Sequence, residues 1–191
     1  MTRRSALMAL GAAPLFAPAA ALGLSGRTPP SDRIALGFVG AGARGRNNLR
    51  SFLGEPDVRV AAVCDVDARH LGLARAELES SDCSSTPEMQ EIFAREDIDA
   101  VVLSLPDHWH GIASVGALRA GKDVYGEKPL SHNWSEARQF ADAVRRYGRV
   151  WLTGSWQRSH ASFRFACEIV RNGRTGIPAQ RALGVAGDKR P

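Results

Sequence analysis

The stretch that decides the fold is Ile34-Ala35-Leu36-Gly37-Phe38-Val39-Gly40-Ala41-Gly42-Ala43-Arg44-Gly45. Its first six residues are apolar on both faces, the pattern of a strand buried inside a parallel sheet. Gly40 to Gly45 then fits G-x-G-x-x-G and opens a helical run from Arg44 to Leu53, closed by Gly54 and Pro56. A lone G-x-G-x-x-G carries little weight. Here it follows a strand, starts a helix, and is answered about twenty residues later by Asp65, at the end of a second apolar run from Val58 to Cys64. In that setting Gly40 permits the tight turn, Gly42 lets backbone approach a pyrophosphate, and Gly45 lets helix and strand pack closely. The helix N-terminus, with Ala43 and Arg44, faces the phosphates. Asp65 is expected to accept hydrogen bonds from a ribose 2′-hydroxyl and to repel a 2′-phosphate, which favours NAD over NADP.

Outward from this stretch, apolar runs and helical patterns alternate. A helix is expected from about Ala68 to Leu78, and the polar segment Glu79 to Ser85 leaves room for only a short third strand. Thr86-Pro87-Glu88 reads as an N-cap, a proline at the first helical position and an early acid, starting a helix that runs to about Arg95. Asp99 to Leu105 is a strand, and Trp109 to Ala120 a helix stopped by Gly121. Val124 to Gly126, a helix from Ser135 to Tyr147 ending at Gly148, and a strand from Arg149 to Thr153 complete the series. Strands alternating with helices predict an α/β fold with a doubly wound parallel sheet, a Rossmann NAD(P)-binding domain over residues 32–155. Beyond it lie a helix from His160 to Asn172, with Gly173 as its C′ residue, and a candidate strand from Gly176 to Ala186. One helix and one strand cannot bury their own apolar faces. Residues 156–191 therefore read as the start of a truncated second domain, of the α+β kind, carrying substrate contacts.

The N-terminus is of another character. Thr2-Arg3-Arg4-Ser5-Ala6-Leu7 opens a stretch from Ala6 to Leu24 without a single charge, ending in Ala19-Ala20-Ala21. A basic head, an apolar middle and small residues before a cleavage point make a secretory signal, and paired arginines point to the twin-arginine route. Residues 1–31 are thus expected to be a signal peptide and linker, and the protein periplasmic. The alternative is an anchor formed by an uncleaved signal, but Pro14, Pro18 and many alanines make a poor membrane helix. No stable membrane insertion is expected beyond the signal.

Composition narrows the function classes. The chain is 44% hydrophobic and 24% charged, with a net charge of +5, as in ordinary soluble globular proteins. Its arginines are scattered rather than gathered in a stripe, so no nucleic-acid partner is expected. Cys64, Cys83 and Cys167 lack C-x-x-C spacing, and His108 and His110 stand two apart with no third ligand nearby. No metal site is expected. His70, His132 and His160 read as surface or cap positions. Gly116-Ala117-Leu118-Arg119-Ala120-Gly121-Lys122 fits the phosphate-loop pattern G-x-x-x-x-G-K by letter, but Asp123 replaces its Ser/Thr and the stretch ends a helix. It is rejected. No G-x-S-x-G nucleophile motif is present.

Glu127-Lys128-Pro129 follows the strand from Val124, at the sheet edge where open α/β folds bind ligands. A lysine beside Val124, Tyr125 and Leu130 is expected to be desolvated and less basic. Such a group can accept the hydroxyl proton when hydride leaves an alcohol.

Taken together, these motifs resemble the Gfo/Idh/MocA oxidoreductase family. The resemblance rests on the glycine loop with Asp65, on Asp99-Ala100-Val101-Val102 leading to Pro106-Asp107-His108-Trp109-His110, on Gly121 through Pro129, and on Gly154-Ser155-Trp156-Gln157-Arg158. It implies that Lys128 is the catalytic lysine, often followed by a cis proline in the family. It also implies that Leu105, Pro106, His110, Glu127, Lys128, Pro129, Gln157 and Arg158 join Gly40, Gly42, Ala43, Arg44, Gly45 and Asp65 around the cofactor. The activity implied is hydride transfer between NAD and a hydroxyl of a sugar or polyol. Two alternatives remain open: NAD-dependent glycoside hydrolysis, as in some exported relatives, and a non-catalytic nucleotide-binding remnant. A homo-oligomer is left open for a full-length form.

Overall fold

The computed structural model describes residues 28–78 and 82–176. The expected signal peptide and nearly all of the candidate strand Gly176 to Ala186 lie outside them. Along the described chain run β1 (Ile34–Val39), α1 (Ala43–Leu53), β2 (Val58–Cys64), α2 (Ala68–Ala76), β3 (Ser84–Thr86) and α3 (Met89–Ala94). Then come β4 (Ala100–Leu103), α4 (His110–Arg119), β5 (Asp123–Glu127), α5 (Trp134–Tyr147), β6 (Trp151–Gly154) and α6 (Ala161–Arg171). The six strands form one sheet in the order β3-β2-β1-β4-β5-β6, and the β3–β2, β2–β1, β1–β4 and β4–β5 pairings are parallel. This is the doubly wound order, whose direction of winding reverses between β1 and β4. A crevice opens there, beyond the carboxyl ends of the two strands.

Period-two alternation along the strands feeds two cores. Val39, Val101, Leu103 and Val124 face one side, where Ile92 and Phe93 of α3, Ala113, Ala117 and Leu118 of α4, and Phe140 of α5 cover them. Phe38, Val63 and Val102 face the other, with Leu49 of α1 and Ala74 of α2. Each such Val, Leu, Ile or Phe contributes about 1.5–3 kcal/mol by leaving water, which is why the strands need apolar residues on both faces.

Helix ends follow local chemistry. Asp67 caps α2 by accepting the Arg69 and His70 N–H groups, and Asn133 caps α5 by accepting from Glu136. Gly148 closes α5 in the left-handed conformation at φ 61°. Two expectations are corrected. Thr86 is not a helix N-cap but the last residue of β3, paired with Cys64, and α3 starts only at Met89. Its hydroxyl still accepts the Glu88 N–H and donates to Glu91, so the capping chemistry survives without the helix reaching it. The fourth strand stops at Leu103 rather than Leu105: the Ser104 N–H still donates to the Val39 carbonyl, and Pro106, which follows Leu105, has no N–H to offer a ladder. Lys122, of the rejected phosphate-loop pattern, is buried and donates to the Arg95 and Ile98 carbonyls, a structural peg.

The chain divides into two compact units, the first reaching Thr153 and the second starting at Gly154. In the second, a 3₁₀ turn over Trp156–Ser159 precedes α6, which His160 caps through Nδ1. Phe163 and Phe165 of α6 are exposed at 51% and 59%.

Candidate functional site

At the end of β1 the chain passes between two neighbours. The Gly40 N–H donates to the Cys64 carbonyl of β2 at 2.8 Å, and the Ser104 N–H beyond β4 donates to the Val39 carbonyl at 2.9 Å. Gly40 adopts φ +92°, and a Cβ there would collide with the Ser104 carbonyl. A Cβ on Gly45, in the first turn of α1, would collide with the Gly40 carbonyl. The chain's own packing demands these two glycines. Gly42 is different: its backbone is extended, and a Cβ would meet nothing nearer than His70 Cε1 at 3.9 Å. The room beside it belongs to a cleft of about 660 Å³. No side chain caps α1 at Gly42, so its positive end is presented to that cleft. An anionic group close to backbone fits here, and a dinucleotide pyrophosphate is such a group.

The cleft is also lined by Ser104, Leu105, Pro106 and Trp109, and by Val66, His70 and the segment Pro87–Gln90. Asp65 lines it too and is bonded to the glycine loop. Its Oδ2 accepts the Ala41 N–H at 2.7 Å and its Oδ1 accepts the Asp67 N–H at 2.9 Å. The acid therefore does more than the sequence reading gave it: it ties the glycine loop to the end of β2. A carboxylate has about four acceptor positions, so two backbone bonds leave capacity for ribose hydroxyls. Cys64 also borders the cleft, but burial, followed by the charge of Asp65, pushes its thiol up to about 12. It is no nucleophile.

Glu127, at the end of β5, is buried and receives three donors on one oxygen. Arg44 Nε and Nη2 lie 2.7 and 2.6 Å from Oε1, and Asn48 Nδ2 lies 3.0 Å from it. Asn48 also donates to Ser104 Oγ at 3.1 Å. Charge-assisted bonds of this kind are strong where water is scarce. The network pins the start of α1, the chain after β4 and the end of β5 to one another. Lys128 follows directly, with a cis bond to Pro129.

Of the residues expected around the cofactor, Gly40, Gly42, Ala43, Arg44, Gly45, Asp65, Leu105 and Pro106 line the cleft. Glu127 does not line it but is bonded to Arg44, which does. His110 is fully buried instead, with Nε2 against the Leu105 carbonyl at 2.9 Å, where it supports that wall from behind. Lys128 is exposed. The desolvation expected from Val124 and Tyr125 is not supplied, because strand alternation sends those side chains into the two cores. Gln157 and Arg158 are exposed in the second unit. The sequence reading missed Asn48, His70, Ser104, Trp109 and the segment Pro87–Gln90. Asn48 stands one turn beyond Arg44, so its shared helical face was a usable signal. The others are assembled by strand order.

Comparison with known proteins agrees with this geometry. The Gfo/Idh/MocA family model, an oxidoreductase family with an NAD-binding Rossmann fold, matches residues 34–155. Myo-inositol 2-dehydrogenase from Lactobacillus plantarum has a similar structure, with a TM-score of 0.67 and 26% identity over 75% of this chain and 42% of that one. Scyllo-inositol dehydrogenase from Lactobacillus casei, solved with NAD(H) and scyllo-inositol, gives a TM-score of 0.65 and 25% identity at the same coverage. A glycosyl hydrolase family 109 protein of Shewanella pealeana is 28% identical over 128 residues, 62% of this chain and 27% of its own length. The chain thus spans less than half of each. With the family model matching most of its length, and the glycine loop and Asp65 built as such a site requires, the chain belongs to the Gfo/Idh/MocA oxidoreductases, with their NAD-binding Rossmann fold.

Proposed function

We propose that the protein transfers hydride between NAD and a hydroxyl of a sugar or polyol. The observation that carries this reading is the open flank of Gly42 at the uncapped start of α1, beside Asp65. When bound, NAD supplies the hydride acceptor. The glycine loop and first turn of α1 would hold its pyrophosphate, and the spare lone pairs of Asp65 its adenosine ribose. Lys128, projecting into solvent from the carboxyl end of β5, would accept the proton of the substrate hydroxyl. Glu127, held by Arg44 and Asn48, fixes where that lysine starts.

A second reading, redox-neutral cleavage of a glycoside, draws on the similarity to family 109 proteins. One assay separates the two. With NAD, polyols and aryl glycosides offered in turn, the first reading expects net NADH from a polyol. Aglycone release without net NADH would identify the second. Failure of the chain to bind NAD at all would overturn both.

A further inference from the structure

His70 is the one histidine that lines the cleft, among the described residues. Its Nδ1 lies 3.5 Å from Asp65 Oδ2 and 4.0 Å from Asp67 Oδ2, and its Cε1 is the atom nearest to the open side of Gly42. The ring is 40% exposed while the Asp65 carboxylate is only 11% exposed. His70 is therefore the more exposed neighbour of the carboxylate that the dinucleotide reading assigns to the adenosine ribose.

We infer that His70 sets the NAD-over-NADP preference of this site in a pH-dependent way. The inference rests on the dinucleotide reading of the cleft. With a neutral ring, Asp65 presents its full negative charge to whatever occupies the ribose 2′-position, and a 2′-phosphate is repelled. With a protonated ring, a cation stands beside that carboxylate, cancels part of its field and offers the phosphate a donor.

The surrounding charges support this role. Facing the ring are two acids, Asp65 at the end of β2 and Asp67 at the cap of α2. Glu88, after β3, borders the same cleft. The glycine loop approaches the ring at Gly42, where an added Cβ would lie 3.9 Å from His70 Cε1, and its one charged residue is Arg44. On α2 the adjacent Arg69 is exposed, and across the cleft Arg44 is engaged with Glu127. Among the described residues the ring's ion-pair partners are thus both acids.

The test is calorimetric titration of the chain with NAD⁺ and with NADP⁺ at about pH 8 and about pH 5.5, the range over which an ordinary histidine gains its proton. A 2′-phosphate monoester itself titrates near pH 6, so the quantity of interest is the comparison with His70→Gln and His70→Lys. Glutamine and lysine are both good helix formers at an exposed first turn. In the wild type the ratio of the NADP⁺ to the NAD⁺ dissociation constant should fall on acidification by about tenfold more than in His70→Gln, the worth of one partly screened charge pair. His70→Lys, a permanent cation, should show the narrowed ratio already at pH 8. Equal pH dependence in wild type and His70→Gln, or a wild-type-like ratio in His70→Lys at pH 8, would overturn the inference while leaving the NAD site intact. Absence of NAD⁺ binding by the wild type at either pH would instead overturn the dinucleotide reading beneath it.

Discussion

Gly42 and Gly45 lie three residues apart in one motif, yet their missing side chains answer to different partners. Gly45 is required by the Gly40 carbonyl, so Gly45→Ala forces backbone apart and should destabilise the protein by about 1–3 kcal/mol. Gly42 is in an extended conformation that alanine adopts, with empty space where its Cβ would go. Gly42→Ala should leave the melting temperature unchanged or slightly raised, while NAD⁺ binding weakens by about tenfold or more, roughly 1.4 kcal/mol. Thermal melts and titrations of the two variants measure both quantities, and loss of stability in Gly42→Ala with unaltered NAD⁺ affinity would refute the cradle. His110 gives a residue-scale pH dependence. Burial holds its imidazole below the ordinary range, and the Leu105 carbonyl it donates to offsets this only in part. Below about pH 6.5 the unfolded chain then binds more protons at this position than the native one, so stability falls as pH falls and is flat above. His110→Gln keeps a donor and does not titrate. Urea midpoints compared at about pH 5 and about pH 7 should differ less in this variant than in the wild type.

At the scale of elements, β5 matters most because it ends in Glu127 and delivers Lys128 directly after it. The first is locked by Arg44 and Asn48 of α1, and the second stands in solvent one residue later. Lys128→Ala should therefore leave NAD⁺ binding unaltered and cut turnover by about 10²–10⁴. Wild-type turnover in that variant would remove Lys128 from the chemistry. The same element shows what was legible in the sequence. β1 is apolar on both faces, and the apolar runs of β2, β4 and β5 could be placed to within a residue or two. The third strand, Ser84-Ser85-Thr86, is polar, and only Thr86 is buried. Its strand character comes from pairing with the edge of β2 at Ala62–Cys64 rather than from composition, which is why its last residue read as a helix cap. The site divides in the same way. Residues contiguous with the glycine motif were legible, since turn, helix start and acid share a fixed spacing. Ser104, His70 and Pro87–Gln90 were not, because strand order brings them to the cleft and one sequence does not declare strand order. His110 misled for a related reason: proximity to the cleft wall says nothing about which side of that wall a ring occupies.

At the scale of the whole molecule, export and cofactor retention bear on each other. Residues 1–27 lie outside the described chain, and export through Arg3-Arg4 by the twin-arginine route stands as our proposal. That route carries folded proteins, and NAD is plentiful only in the cytoplasm. A cofactor that exchanged freely would be lost by dilution outside. Retention at a dissociation constant near 1 nM needs about −12 kcal/mol. The Rossmann unit supplies a glycine loop, one helix N-terminus and one acid along a single cleft, and charge-assisted bonds of this kind are worth about 1.5–3 kcal/mol each. Retention at that level therefore requires further protein closing over the nicotinamide end. The similar inositol dehydrogenase chains extend well beyond the matched part, which is 42% of their length. We expect the 191-residue chain to shed NAD during gel filtration, and a form extended to the length of those relatives to keep it through the same column. Replacing Arg3 and Arg4 by lysine should hold the extended form in the cytoplasm. Stoichiometric NAD on the 191-residue chain would show that no second domain is needed, and undiminished export of the double-lysine variant would remove the twin-arginine route from the account.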